Sequence, residues 1–309
     1  MKRFSLIKPS TRAMLREGQK TKGYSWFDQL HGYIYMRWPY LYISLAKGDH
    51  PWAKRLAPVI NWLGRVIPAR SAPAEDGARR PTFADGYHGK VVPLEAARAL
   101  VNVQENVRLE NLEHIIPFDR ARDIILENPD HIVVIDCPCR KGVENPCLPM
   151  DVCLIVGEPF ASFTMEHHPE TARRLTPQEA EQILREEDAR GHVHHAFFKD
   201  AVLGRFYAIC NCCSCCCGAM KAHRNGIPML ISSGYVCQVD EDACAGCGEC
   251  EAACQFAAIT VNDHAEIDPE KCMGCGVCVN LCSQEALTLT RDDRRPEPLE
   301  IQKLMESAV

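Results

Sequence analysis

Several catalytic signatures are missing from the 309 residues. No G-x4-G-K-[ST] loop is present, so nucleotide hydrolysis has no phosphate cradle. No C-x-x-C-H haem attachment occurs. No C-x3-C-x2-C supplies three ligands for a radical-SAM cluster, because Ala257 stands where a third cysteine would follow Cys250 and Cys254. The glycine pattern of a dinucleotide fold is also missing. No stretch of 18 uncharged apolar residues exists, so a spanning helix is not expected. The opening MKRFSLIKPSTRAML has no continuous apolar segment of the secretory kind. The chain is therefore expected in a reducing cytoplasm, where its 19 cysteines read as metal ligands rather than disulfides. Acids are scarce at one end. Residues 1–70 hold 13 Lys and Arg against Glu17, Asp28 and Asp49, a balance of +10 within a net charge of −6. Residues 236–291 hold ten acids against Lys271 and Arg291. The hydrophobic content is ordinary, and the length suits two or three globular domains.

The chain is organised around two cysteine runs near its C-terminus. Cys244, Cys247, Cys250 and Cys254 form the first, and Cys272, Cys275, Cys278 and Cys282 recur 28 residues later. Each reads C-x2-C-x2-C-x3-C, the ligand spacing of proteins holding two [4Fe–4S] clusters. Gly246, Gly248, Gly274 and Gly276 let the backbone turn around the metal. In this spacing the fourth cysteine serves the other cluster. One cluster is then expected on Cys244, Cys247, Cys250 and Cys282, and the other on Cys272, Cys275, Cys278 and Cys254. Zinc is disfavoured, because its ligands usually come as separated C-x2-C pairs. The flanks repeat too: Val239-Asp240 matches Ile267-Asp268, and Ile259 matches Leu287. Residues 235–291 closely resemble a bacterial two-cluster ferredoxin domain. The resemblance implies a pseudo-twofold α+β unit with two short sheets flanking the clusters. That family usually has proline after the fourth cysteine; here Gln255 and Ser283 stand there.

Residues 1–70 form a basic, aromatic, helical segment with all four tryptophans. The run HGYIYMRWPYLYISLA is broken at Arg37 and Pro39, and a second helix is expected over Trp52–Ile67. Three readings fit this segment: packing on its own protein, docking to an acidic partner subunit, or lying on anionic lipid at the inner membrane face. No nucleic-acid module accompanies the charge, so nucleic acid is not expected. Residues 71–87 read as a linker and 292–309 as a tail. Residues 88–234 read as a cysteine-rich α/β domain. One helix is expected after Pro93, and a second from Pro117 that buries Phe118, Ala121, Ile124 and Ile125. Strands are expected at 131–136, 152–157 and 205–209. Thr176-Pro177-Gln178-Glu179 is a strong helix start, with a stop at Gly191.

Two of those strands run into cysteines. Cys137, Cys139, Cys147 and Cys153 form one group; Cys210, Cys212, Cys213, Cys215, Cys216 and Cys217 form another. Thiolates this dense repel one another unless a soft metal neutralises them. If the strands are sheet neighbours, the ten thiols share one region at their carboxyl ends. An iron–sulfur centre is favoured, with zinc or a metallothionein-like cluster as the alternative. VIDCPCR, the NPC and DVCL that follow, GHVHHAF and ICNCCSCCCG together resemble an uncharacterised family of ferredoxin-fused, cysteine-rich 4Fe–4S binding proteins of anaerobes. That resemblance covers residues 110–291 and implies anaerobic redox work. His192, His194 and His195 are expected to meet a helix C-terminus, with a metal or proton-relay role as the alternative. Arg140 is expected to donate to cluster sulfurs. The function expected is an iron–sulfur electron carrier, or an electron-transfer subunit of an oxidoreductase, working with redox partner proteins. A reductase with an open iron and a redox or metal sensor are the alternatives.

Overall fold

The computed structural model describes residues 7–53, 86–117 and 123–308. Its centre is a sheet with the strand order β2 (Val107–Leu109), β3 (Ile124–Asp136), β4 (Asp151–Glu158), β7 (Arg205–Cys212), β6 (Val193–Lys199), β1 (Tyr87–Val91) and β8 (Leu230–Ile231), with β5 (Ala172–Leu175) also paired to β3. Only the β1–β8 pair is parallel. The expected α/β arrangement is therefore corrected: strands joined mainly antiparallel, with helices on both faces, make the central region α+β. The residues themselves explain the sheet. Along β3 the chain alternates between two cores, Val133 and Ile135 facing one and Ile132 and Val134 the other, the period-2 pattern of a strand buried on both sides.

The helix expected from Pro117 is not formed at Ile124 and Ile125. Those residues open β3 and pair with Leu109 and Arg108. Their β-branched side chains suit the pleated ladder better than a helix. Phe118 and Ala121 lie outside the described residues, as do residues 54–85, which carry most of the expected Trp52–Ile67 helix and of the linker. The helix after Pro93 is present as α4 (Leu94–Val101), burying Ala97, Leu100 and Val101. The strong helix start is also present, as α7 (Pro177–Ala189). Thr176 and Glu179 form a reciprocal capping box, and Gly191 ends the turn at a φ of +80°.

One face of the sheet is covered by α4, α7 and α11 (Ile301–Ser307). The other is roofed by α1 (Pro9–Lys20), α2 (Trp26–Arg37) and α3 (Pro39–Lys47), with α6 (Phe160–His167) beneath α1. The break between α2 and α3 falls at Trp38, where Pro39 begins the next helix. Anchors tie the roof down: Tyr24 Oη donates to Ala201 O at 2.7 Å, Tyr40 Oη to Thr171 Oγ1 at 2.9 Å, and Lys47 Nζ to Cys139 O at 3.0 Å. At Gly32 a Cβ would stand 1.7 Å from Ala201 O, so only glycine lets α2 approach this closely. The roof's tyrosines turn inward while Trp26 (75% exposed), Trp38 and Trp52 face out.

Residues 235–291 form two hairpin-sized ladders, β9 (Tyr235–Val239) with β12 (Leu287–Arg291) and β10 (Ile259–Val261) with β11 (Ala265–Ile267). Two short helices, α9 (Glu249–Ala253) and α10 (Val277–Leu281), follow glycines at φ +80° and +85°. The 28-residue offset of the cysteines thus recurs in helices and dihedral angles.

Candidate metal centre

The paired cysteine runs are fitted for anionic clusters by their backbone. Ala265 N–H points at Cys244 Sγ (3.4 Å), Cys237 N–H at Cys272 Sγ (3.4 Å), and Ala258 N–H at Cys254 Sγ (3.3 Å). The first two bonds are repeat mates, since 237 and 265, like 244 and 272, differ by 28. Each reaches from one half of the repeat to a cysteine of the other half, so the halves share one plan. Amide donors of this kind stabilise the charge on cluster sulfur. Cys254 sits near enough to Cys275 for its charge to raise that thiol's pKa, after the larger effect of burial. Gly274 is held by geometry: its φ is +65°, and a Cβ would meet Tyr235 O at 2.2 Å.

Cys237 is a ninth cysteine here that the spacing argument passes over. It is buried, with its sulfur 3.6 Å from that of Cys278. Its repeat mate is Ala265, so no periodicity marks it.

The upstream cysteines do meet, though not for the expected reason. In an antiparallel sheet neighbouring strands alternate direction, so the shared edge collects the C-terminal ends of β3 and β7 and the N-terminal end of β4. Cys153 and Cys210 are direct cross-strand partners. Cys137 leads into α5 (Pro138–Lys141), and Cys217 precedes α8 (Gly218–Arg224). All 19 cysteines are unpaired thiols.

The ten upstream thiols fall into two sets. The sulfurs of Cys147, Cys213, Cys215 and Cys216 all lie within 4.8 Å of one another. Cys147 Sγ is 3.1 Å from Cys215 Sγ, which is 3.6 Å from Cys216 Sγ. Cys215 is exposed at the surface. The neighbouring thiols hold its pKa below the ordinary value despite the opposing effect of burial. Four thiols at this separation fit a single tetrahedral ion, whose sulfurs sit about 2.3 Å from the metal. The second set is Cys137, Cys139, Cys153, Cys210, Cys212 and Cys217. Cys212 and Cys217 are 3.2 Å apart. Cys137 engages Cys139 and Cys153, Cys153 engages Cys210, and Cys139 engages Cys217. Cys217, and then His195, pull the Cys212 pKa down to about 6.

Arg140 does not reach the sulfurs. Its guanidinium is fully buried and donates to Glu187 Oε2 at 2.6 Å, Asn211 O at 3.2 Å and Pro149 O. Burial works against the cation, but Glu187 outweighs it, and the pKa is raised. The expected sulfur donor is thus an ion pair, placed where Cys137 and Cys213 both feel its charge. The histidines also divide. His192 meets the helix end through Glu187 (2.7 Å), and His194 Nε2 lies 3.6 Å from Asp188 Oδ1 in the same last turn. His194 and His195 are in β6, His194 bonded to Asn211 Oδ1 at 2.6 Å and His195 facing Cys212.

The sequence reading also passed over a lysine under the roof. Lys199 Nζ lies 4.6 Å from the Tyr87 ring centre, 4.8 Å from Tyr35 and 5.7 Å from Tyr42. Burial pulls its pKa down to about 8. The hydroxyls of Tyr35 and Tyr207 meet beside it at 2.7 Å. No sequence motif marks this cluster, since it joins α2, β1, β6 and β7.

The dicluster region touches the loop that carries the upstream thiols. Gln255 Oε1 accepts from Ser214 N–H at 2.8 Å, and Gln255 Nε2 donates to Gly191 O at 3.0 Å. The residue that departs from the ferredoxin pattern is therefore the clasp between the two regions. Arg224 holds the other side of the loop by donating to Ser214 O at 2.7 Å.

A family model described as a 4Fe-4S dicluster domain matches residues 243–286. No curated protein matches the chain. The match and the cysteine sets support iron–sulfur chemistry. Among the described residues no helix is long and apolar enough to cross a membrane.

Proposed function

We propose that this chain is an electron-transfer protein, or the electron-transfer subunit of an anaerobic oxidoreductase, holding two [4Fe–4S] clusters and a further cysteine-bound metal. Cys244, Cys247, Cys250 and Cys282 would hold one cluster, and Cys272, Cys275, Cys278 and Cys254 the other, in a pseudo-twofold unit. When bound, such clusters supply one-electron redox chemistry at a potential set by burial and by hydrogen bonds to sulfur. The observation that carries the reading is the reciprocal pair of N–H···S bonds from Ala265 and Cys237. Crossed ligation follows from the C-x2-C-x2-C-x3-C spacing, in which the fourth cysteine serves the other cluster.

Cys147, Cys213, Cys215 and Cys216 would hold the further ion. Four thiolates saturate a tetrahedral ion and leave no open position. This argues against the open-iron reductase at that point and for a carrier or subunit. Gln255 and Ser214 keep the two regions in register. A partner is also needed. The outward Trp26, Leu30, Ile34 and Trp38, within a basic segment, suit an acidic redox partner or anionic lipid.

The test is anaerobic purification with iron, sulfide and zinc analysis and a reductive EPR titration. About eight irons with acid-labile sulfide, reduced in one-electron steps, are expected. Protein without iron, or with iron that does not cycle, would overturn the reading.

A further inference from the structure

The six thiols left over by the surface set face inward, and the geometry points to a second metal centre there. We propose that Cys137, Cys139, Cys153, Cys210, Cys212 and Cys217 hold a centre of more than one metal ion bridged by sulfur, separate from the single ion at Cys147, Cys213, Cys215 and Cys216. The inference rests on the reading above only in placing that single ion.

The partition comes from the chain itself. Cys212-Cys213 and Cys216-Cys217 are adjacent pairs, and each pair sends one sulfur to each set. Where the chain leaves β7, consecutive side chains at Cys212 and Cys213 still point to opposite faces, and in the turn that follows Cys215 and Cys216 join Cys213. The doublets therefore serve two sites back to back, with the Arg140 guanidinium near both Cys137 and Cys213. The surface set is complete with four sulfurs and needs none of the six.

The six are not arranged for one ion. Among the described residues only the surface set has three or more metal-ligating atoms within 4.8 Å of one another. The inner set is instead drawn out along the strand ends: Cys153 and Cys210 are cross-strand partners, and Cys212 and Cys217 stand 3.2 Å apart. Sulfurs spread in this way suit several ions sharing bridging sulfur, as in the thiolate-held iron–sulfur clusters.

The surroundings suit an anionic centre. Gly218 N–H points at Cys139 Sγ at 3.5 Å, the same device that the dicluster region uses three times. Lys47 Nζ, from the roof, bonds Cys139 O. His195, with no exposed surface, faces Cys212 and has no hydrogen-bond partner of ordinary geometry on either ring nitrogen. A buried polar ring without partners needs explaining, and a metal or a cluster sulfur beside Cys212 would supply one. The simple alternative is six inert buried thiols. It leaves unexplained why each lies against another sulfur and why polar donors converge on them.

The test uses the full chain, purified anaerobically. Metal and sulfide are counted in wild type, Cys153→Ser and Cys215→Ser, with EPR and Mössbauer spectra of each. Wild type should exceed the dicluster iron by more than one ion and carry sulfide beyond the dicluster share. Cys215→Ser should lose one ion and no sulfide. Cys153→Ser should lose several ions together with sulfide. Cys210→Ser, at a less buried position, should repeat that loss should Cys153→Ser fold poorly. Wild type with only one ion beyond the dicluster iron would overturn the proposal. So would identical losses in the Cys215 and Cys153 variants, which would mean one shared site. Failure of the dicluster reading would appear separately, as absence of its iron from every variant.

Discussion

The dicluster region and the central region hold cysteines by opposite means. In residues 235–291 the cysteines of each run stand three or four residues apart in loops set by glycine, and the plan is written twice. In residues 86–234 the thiols also meet across strands, as Cys153 does with Cys210, 57 residues on. The first kind of site needs little beyond its own turns. The second exists only after a sheet has formed and two cores have packed around it. Cysteine spacing along a chain is therefore a strong guide in one region and a misleading one in the other, where the adjacent Cys212 and Cys213 fall in different sets.

The sharpest break of that comparison is Cys254→Ser. It should cost the cluster held by Cys272, Cys275 and Cys278, about half of the dicluster iron, while the upstream metal stays. Loss confined to the other cluster would refute the crossed ligation. Next in size is Arg140→Ala, which removes the buried cation of the Glu187 pair and leaves that carboxylate with His192 and Arg190 alone. Breaking a buried pair costs about 3–5 kcal/mol, read as a fall in Tm with upstream metal lost and dicluster EPR retained. Equal damage to both regions would mean that they are not separate in this sense.

Lys199 gives a pH test. Its pKa is depressed by burial to about 8, so between that pH and its usual 10.5 the unfolded chain binds the extra proton. Stability should rise with pH across that window relative to Lys199→Met, by at most about 3 kcal/mol. A flat difference between the two proteins in chemical denaturation would show that the amine is not neutralised. Gln255→Pro restores the ferredoxin-type residue and removes the clasp. Losing one hydrogen bond is worth about 1 kcal/mol, so amide exchange at Ser214 should quicken roughly fivefold with both cluster signals intact. Unchanged exchange would mean that the clasp is incidental. The smallest effect is expected at the roof. Liposome or partner binding through its outward tryptophans should weaken as salt rises, because charges are screened beyond about 8–10 Å. Salt-insensitive flotation, unchanged on Trp26→Ser, would leave self-packing as the segment's whole role.

Much of this was legible in the residues. The capped helix at Thr176, the helix after Pro93 and the break at Pro39 are local signals, and each appears where expected. Residues 131–136, 152–157 and 205–209 all lie in strands. What failed was non-local. Ile124 and Ile125 suit either a helix or a strand, and only pairing with β2 decides. Strand direction is not encoded in a strand's own pattern, so the antiparallel sheet replaced the expected α/β order. The meeting of Cys153 with Cys210 followed from that sheet and not from their spacing. Arg140 was singled out correctly as a neighbour of the thiols but given the wrong partner, because Glu187 lies 47 residues away.

The roof imposes an order of events. Helices α1 to α3 are made first, yet they close over Cys139 and Cys210, which are made much later. Lys47 cannot bond Cys139 O until β3 has delivered that residue to the sheet edge. Whatever metal the inner thiols take must therefore arrive while the first helices are still undocked. The helices that precede these thiols in the chain are then the last to settle over them, and a roof that closes early would seal the cysteines away empty.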